Sequence, residues 1–192
     1  MSEDIGQKWD EKYLSRKDLS GKPADVLTSN LHLLPKQGIA LDLACGPGGN
    51  AIFLAEHGLD TYAWDISKVA LSHLNHTAVN KGLGIKAEYR DVIKNPPETA
   101  SFDVIVVSNF LDRSIIPDII AALNPDGLMY YQTFTIERTK KPAPDNPAYK
   151  LNPNELLGLL SGLTIRYYRE DGDTGTDEEY QGLAMVVAQK CN

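Results

Sequence analysis

The sequence predicts an α/β protein built on a doubly wound, mostly parallel sheet. Three observations carry that reading. Short apolar runs alternate with helical segments along most of the chain. One run, Asp103-Val104-Ile105-Val106-Val107, is apolar at every position after the first, as a strand buried on both faces of a parallel sheet is. A glycine-rich turn joins the first such run directly to a helix.

Taken in order, the N-terminal segment reads as a helix capped by Ser2 or Asp4, with Ile5, Trp9, Tyr13 and Leu14 near one face. Ser20-Gly21-Lys22-Pro23 breaks it, and a short helix spans 24–31. Strands are expected at 39–43, 60–64, 85–89, 102–107, 128–134, 163–169 and 183–189. Helices are expected at 50–57, 67–80, 115–123 and 153–160, with Ser67 and Asn152 as caps and Gly82 as a stop. Asn124-Pro125-Asp126-Gly127 reads as a turn. A polar loop and no helix separates the last two strands, so a hairpin there brings one antiparallel strand into the sheet near the C-terminus. The result is a Rossmann-like, seven-stranded sheet in one domain over residues 1–192, with residues 1–34 as an N-terminal helical cap. The one long irregular stretch, 135–152, has the length of a lid or binding loop.

Charge and composition narrow the partners. A net charge of −7 with no Lys/Arg cluster disfavours a nucleic-acid substrate. The acidic run 170–179 reads as a solvated loop. Cys45 and Cys191 form no disulfide framework, which favours a cytoplasmic location. The polar N-terminus is no signal peptide, and no apolar run reaches membrane-spanning length. His73 and His76 share a helix face, yet no third ligand stands at metal spacing, so no metal is expected. A monomer or a homodimer is expected.

The strongest local signal is Leu41-Asp42-Leu43-Ala44-Cys45-Gly46-Pro47-Gly48-Gly49-Asn50. Glycines let a ligand approach bare backbone, and the following helix offers free N–H groups. The pattern departs from the dinucleotide fingerprint and lacks the Lys-Ser/Thr of a phosphate loop. That weighs against a nicotinamide-dependent oxidoreductase. Asp42 would repel a pyrophosphate and suits a cationic ligand without phosphate, such as S-adenosylmethionine. Asp65 ends the next strand, where a carboxylate accepts hydrogen bonds from ribose hydroxyls. Asp91 follows the third, within reach of an adenine amino group. Each Asp taken singly also reads as a cap or turn former; the ordered set points to a ligand.

With these residues in hand, the chain resembles the class I S-adenosylmethionine-dependent methyltransferases. Asp42, Gly46 and Gly48 match their acidic-x-Gly-x-Gly-x-Gly motif, with Ala44 in place of its first glycine. The likeness is strongest to bacterial tellurite-resistance-type methyltransferases. It extends to Trp9-Asp10-Glu11-Lys12-Tyr13, to Ser108 through Arg113, to Thr133-Phe134, and to Asn146-Pro147-Ala148-Tyr149 with Leu151. The resemblance implies that Asp42 and the backbone of Ala44, Cys45 and Gly46 hold the amino-acid end, with Gly48 and Asn50 completing the loop. It implies ribose and adenine contacts from Asp65 and Ile66, and an adenine edge held by Asp91 and Val92. Ser108, Asn109 and Phe110 would stand at the sulfonium. Trp9 and Tyr13 either cover the cofactor or simply pack a helix on the core.

The acceptor side is less specific. The expected reaction is in-line methyl transfer to a small acceptor, a thiol, chalcogen oxyanion or hydroxyl. A general base is required only for an acceptor protonated at working pH. Candidates there are Asn109 and Arg113. Arg113 either binds an anionic acceptor or pairs with Asp112. Tyr131, Thr133 and Phe134 end the fifth strand, and Arg138, Lys140 and Lys141 form either a cationic lid or a solvated loop face. Cys45 at a helix start has the position of a thiol with lowered pKa. Two alternatives keep the fold: a non-catalytic S-adenosylmethionine-binding protein, and a methyltransferase acting on protein.

Overall fold

The computed structural model describes residues 2–16, 18–137, 143–174 and 176–191, with the side chains of residues 2–4 outside the description. The side chains of the proposed caps Ser2 and Asp4 are therefore not described, and Arg138, Lys140 and Lys141 lie outside the described residues. The elements are α1 (Ser2–Leu14), α2 (Asp25–Ser29), β1 (Ile39–Leu43), α3 (Gly49–Glu56), β2 (Asp60–Asp65), α4 (Lys68–Lys81) and β3 (Lys86–Tyr89). They continue with β4 (Phe102–Ser108), α5 (Ile116–Ala122), β5 (Leu123–Phe134), α6 (Glu155–Leu159), β6 (Thr164–Glu170) and β7 (Leu183–Gln189).

The strands form one seven-stranded sheet in the order β3-β2-β1-β4-β5-β7-β6. β7 runs antiparallel to both β5 and β6, and the other pairings are parallel. Strand order reverses between β1 and β4. The crevice above their C-terminal ends is where open α/β sheets take ligands.

Each face has its own core. Leu41, Ile105, Val107, Met129 and Tyr131 pack with Ile119 of α5 and Leu156 of α6. Ala40, Val104, Val106 and Tyr130 pack with Leu27 of α2 and Leu54 of α3 on the other face. Val104, Ile105, Val106 and Val107 are all 0% exposed, which explains their unbroken apolar run. Each buried Ile, Leu or Val contributes about 1.5–3 kcal/mol. Ser67 caps α4 by accepting from the Ala70 N–H at 3.1 Å, and Gly82 closes it in the left-handed region. Among the described residues, no helix is long and apolar enough to cross a membrane.

Two local expectations need correcting. The turn at 124–127 lies inside β5, as an irregularity where the register with β4 shifts between Phe102 and Val104. The Asp126 N–H donates to the Lys190 carbonyl, so this segment stays tied to the sheet. The Asn152 side chain does not accept as a helix cap, although its carbonyl accepts from the Glu155 N–H at 3.0 Å. Its backbone N–H and side-chain amide both donate to Glu155 Oε2, at 2.8 and 3.0 Å, and Asn154 stands at the cap position with φ of 61°.

Candidate cofactor site

The glycine turn is built from left-handed backbone. Ala44, Gly46 and Gly48 have φ of 55°, 52° and 84°. A Cβ at Gly48 would sit 2.3 Å from Leu74 Cδ1, so only glycine fits. Ala44 holds the same conformation with a Cβ, at a cost of about 1–2 kcal/mol. The Cys45 N–H donates to the Trp64 carbonyl at 3.0 Å, which ties the turn to β2.

Two buried carboxylates stand behind this turn. Asp42 is 0% exposed and accepts from Asn50 Nδ2 at 3.1 Å and the Ala51 N–H at 3.0 Å. It lies beneath the loop and caps α3, with no surface open to the crevice. Both of these hydrogen bonds hold the loop and the first turn of α3. Burial pushes the Asp42 carboxyl up to about 7, against the downward pull of Asn50 and Ala51. Asp65 is 6% exposed; Oδ2 accepts from the Gly46 N–H at 2.7 Å and Oδ1 from the Ser67 N–H at 2.8 Å. Burial raises its pKa as well. Each oxygen keeps a further lone pair. Asp91 turns its carboxylate to the Ile93 N–H at 3.2 Å and lies 3.4 Å from Lys94 Nζ. Val92, 6% exposed, packs in one cluster with Trp64.

The N-terminal segment lies across this array. Asp10 Oδ1 accepts from Ser67 Oγ at 2.5 Å and the Val69 N–H at 3.1 Å, so it caps α4 from another helix. Tyr13, 8% exposed, is seated on the turn; a Cβ at Gly46 would lie 2.7 Å from its hydroxyl. Burial, with Asp65 next, raises the Tyr13 pKa. Trp9 is half-buried beside Tyr13, with ring centroids 5.9 Å apart. Gly6 sits against the Ile66 carbonyl. Residues 21–22 then cross the start of α3 so closely that a Cβ on Gly49 would lie 2.5 Å from the Lys22 carbonyl oxygen.

Asn50 joins the pieces. Its Nδ2 donates to Asp42 and, at 2.9 Å, to Ser108 Oγ, while its Oδ1 accepts from the Ala24 N–H at 2.8 Å. Asn109 follows with φ of 54°; it is exposed, and its N–H donates to the Gln132 carbonyl at 2.8 Å. Phe110 is half-buried, and its carbonyl accepts from the Tyr131 hydroxyl at 2.9 Å.

Several acceptor-side expectations change. Arg113 is not paired with Asp112, which instead accepts from Ser114 N and Oγ. Its guanidinium is spent on Glu155 and on the Ala148 and Lys150 carbonyls, each at 2.9 Å, so it is no anion hook in this conformation. Tyr131 and Thr133 are 0% and 1% exposed and face the core rather than an acceptor. Phe134 is 8% exposed. Cys45 is buried, and burial raises its thiol pKa rather than lowering it. Among the described residues no three His, Cys, Asp or Glu side chains gather as metal ligands. Asp10 and Glu155 escaped the sequence reading because their partners lie 57 and 42 residues away.

The donor set suits S-adenosylmethionine. Two buried carboxylates back a left-handed turn, which favours a cationic ligand over a pyrophosphate. Residues 40–127 match the family model described as a methyltransferase domain. Fold, turn and match together make this chain similar to the S-adenosylmethionine-dependent methyltransferases. The particular likeness is to TehB of Haemophilus influenzae, a probable S-adenosyl-L-methionine-dependent methyltransferase, at 33% identity over 113 residues. That match takes in 57% of this chain, and the chain spans 39% of the length of that relative. The TehB crystal structure superposes with a TM-score of 0.72 at 22% identity, covering 95% of this chain and 67% of that one. The [4+2]-cyclase SpnF superposes at 0.75 and 16% identity, over 100% of this chain and 96% of its own. The fold therefore does not by itself fix the reaction.

Proposed function

We propose that this chain transfers the methyl group of S-adenosylmethionine to a small acceptor, a thiol, chalcogen oxyanion or hydroxyl, by in-line displacement. The observation that carries the reading is the left-handed turn at Ala44–Gly48 backed by buried Asp42 and Asp65 and covered by Tyr13. The cofactor, when bound, supplies an electrophilic methyl on a sulfonium leaving group.

The protein's own work is placement and exclusion of water. The backbone of Ala44, Cys45 and Gly46 receives the amino-acid end, with Asp42, Gly48 and Asn50 fixing that backbone from below. Asp65 and Ile66 take ribose and one adenine face; Asp91 and Val92 take the adenine edge. Ser108, Asn109 and Phe110 border the sulfonium, and exposed Asn109 is the group best placed to meet an acceptor. Residues 1–34 act as a cap, with Trp9 and Tyr13 on its inner side. A thiolate or chalcogen oxyanion requires no general base. The reading includes a cytoplasmic location and, from the net charge of −7, no nucleic-acid substrate.

The test is transfer of labelled methyl from S-adenosylmethionine to a panel of thiols, selenite, tellurite and phenols. The family resemblance puts tellurite in that panel. Label in one acceptor class supports the proposal. Cofactor binding with no transfer to small acceptors, and label in protein alone, would transfer the case to protein methylation.

A further inference from the structure

We infer that Arg90 is a positioning residue for the adenosine end of the cofactor site, bracing the Asp91-Val92 turn against Trp64. The inference rests on the cofactor reading above.

Arg90 directly follows β3. Its backbone N–H extends the ladder by donating to the Asp65 carbonyl at 2.9 Å. Its guanidinium carbon lies 3.8 Å from the centroid of the Trp64 ring, in the residue before Asp65. Trp64 is 2% exposed and is held edge-on by Phe102, so the platform is rigid. The remaining donors reach the far side of the turn. Nε donates to the Asn95 carbonyl and Nη2 to the Pro96 carbonyl, both at 2.8 Å, and Nη2 also reaches Glu98 at 3.0 Å. Within the turn, the Asp91 carbonyl accepts from the Lys94 and Asn95 N–H groups at 3.1 and 2.9 Å.

The chain thus leaves β3, turns through Asp91 and Val92, and is caught again at Asn95 and Pro96 by the residue that began the turn. Both ends of the turn are fixed to the strand that carries Asp65. The exposed ion pair to Glu98, whose side chain is 68% exposed, contributes little to this. The Arg90 side chain itself is 13% exposed, and its stack and carbonyl contacts do the holding. A flat guanidinium can stack on an indole while its edge bridges two carbonyls; a lysine ammonium cannot do both.

The experiment is calorimetric titration of wild type, Arg90→Met and Arg90→Lys, well below their melting temperatures. The ligands are S-adenosylhomocysteine and 5′-methylthioadenosine, which shares the adenosine part and lacks the amino-acid end. Arg90→Met is expected to weaken both ligands by the same factor, about tenfold. Arg90→Lys is expected to fall between. In variants shown to be fully folded at the titration temperature, a parallel loss locates the effect at the adenosine part that both ligands share; a fall in folded fraction would also weaken both, so the folded fraction is checked by circular dichroism first. Folded variants that bind both ligands as wild type does, or that lose S-adenosylhomocysteine alone, overturn the inference. Should Arg90→Met fail to fold, Arg90→Lys decides by the same comparison. Wild-type protein that binds neither ligand overturns the cofactor reading and this inference with it; wild-type binding with insensitive variants overturns this inference alone.

Discussion

Arg113 and Glu155 meet through a two-pronged ion pair, Nε to Oε1 at 2.5 Å and Nη2 to Oε2 at 3.0 Å. The same guanidinium holds the Ala148 and Lys150 carbonyls, so one side chain fixes the end of the long loop to the start of α6. Arg113 is 37% exposed, which discounts the charge term and leaves the hydrogen-bond fork. Arg113→Ala is expected to lower stability by about 1–3 kcal/mol in urea unfolding, with S-adenosylhomocysteine affinity unchanged. The hydrogen bond from Arg113 is the main reason the Glu155 carboxyl is depressed to about 2 from an ordinary 4.5. A depressed carboxylate stabilises fully above its unfolded value, so this contribution is lost as pH falls from 4.5 to about 2. A variant as stable as wild type at pH 7 would show that the loop holds itself.

Ala44 and Gly48 should respond in opposite directions. Ala44 stands at φ of 55°, where glycine carries no Cβ penalty. Ala44→Gly is expected to raise stability by up to about 1 kcal/mol after its greater unfolded-state entropy is counted. Gly48→Ala meets both a φ of 84° and the Leu74 side chain, and should cost about 2 kcal/mol or more. Thermal melts of the two variants check this; a loss in both would remove the backbone argument at Ala44.

Asp42 gives the fold a pH signature of the other sign. Its folded pKa is raised from 3.8 to about 7, first by burial. A raised group contributes most stability below its unfolded value and loses it as pH rises through the folded one. The melting temperature of wild type should therefore carry a falling component between pH 4 and 7, and Asp42→Asn should flatten it. The asparagine can still accept from Ala51, but its amide meets the Asn50 Nδ2 donor, so the variant is also less stable overall. Equal slopes in the two proteins would show that Asp42 stays ionised.

Asp10 latches α1 to the start of α4 through Ser67 and Val69. Asp10→Ala removes both acceptor contacts and should release S-adenosylhomocysteine about tenfold faster in stopped-flow dissociation. An unchanged rate in a folded variant would make α1 an extension with no part in retention.

The sheet was legible because its strands announce themselves. Runs such as the one at Val104–Val107 are apolar throughout since both faces are covered, and Ser67 and Gly82 mark α4 by ordinary capping chemistry. The segment 124–127 reads from the sequence as a turn because Pro and Gly signal a break locally, whereas the neighbouring strand keeps it in the sheet. At the site, the ordered glycines and carboxylates could be read, but their partners could not. Asp42 looked like a ligand-facing acid, and its burial under the loop depends on Asn50 and Ala51 being folded above it. Arg113 reads from the sequence as an anion hook or a partner of Asp112, because Glu155, with which it pairs, lies far along the chain.

The most direct test of the account is calorimetric titration of the purified chain with S-adenosylmethionine, S-adenosylhomocysteine and NAD. Micromolar binding of both sulfur ligands and none of NAD is expected, because the turn is built from left-handed backbone with the Asp65 carboxylate behind it, which disfavours a pyrophosphate. A folded sample that ignores both sulfur ligands, or prefers NAD, would contradict it.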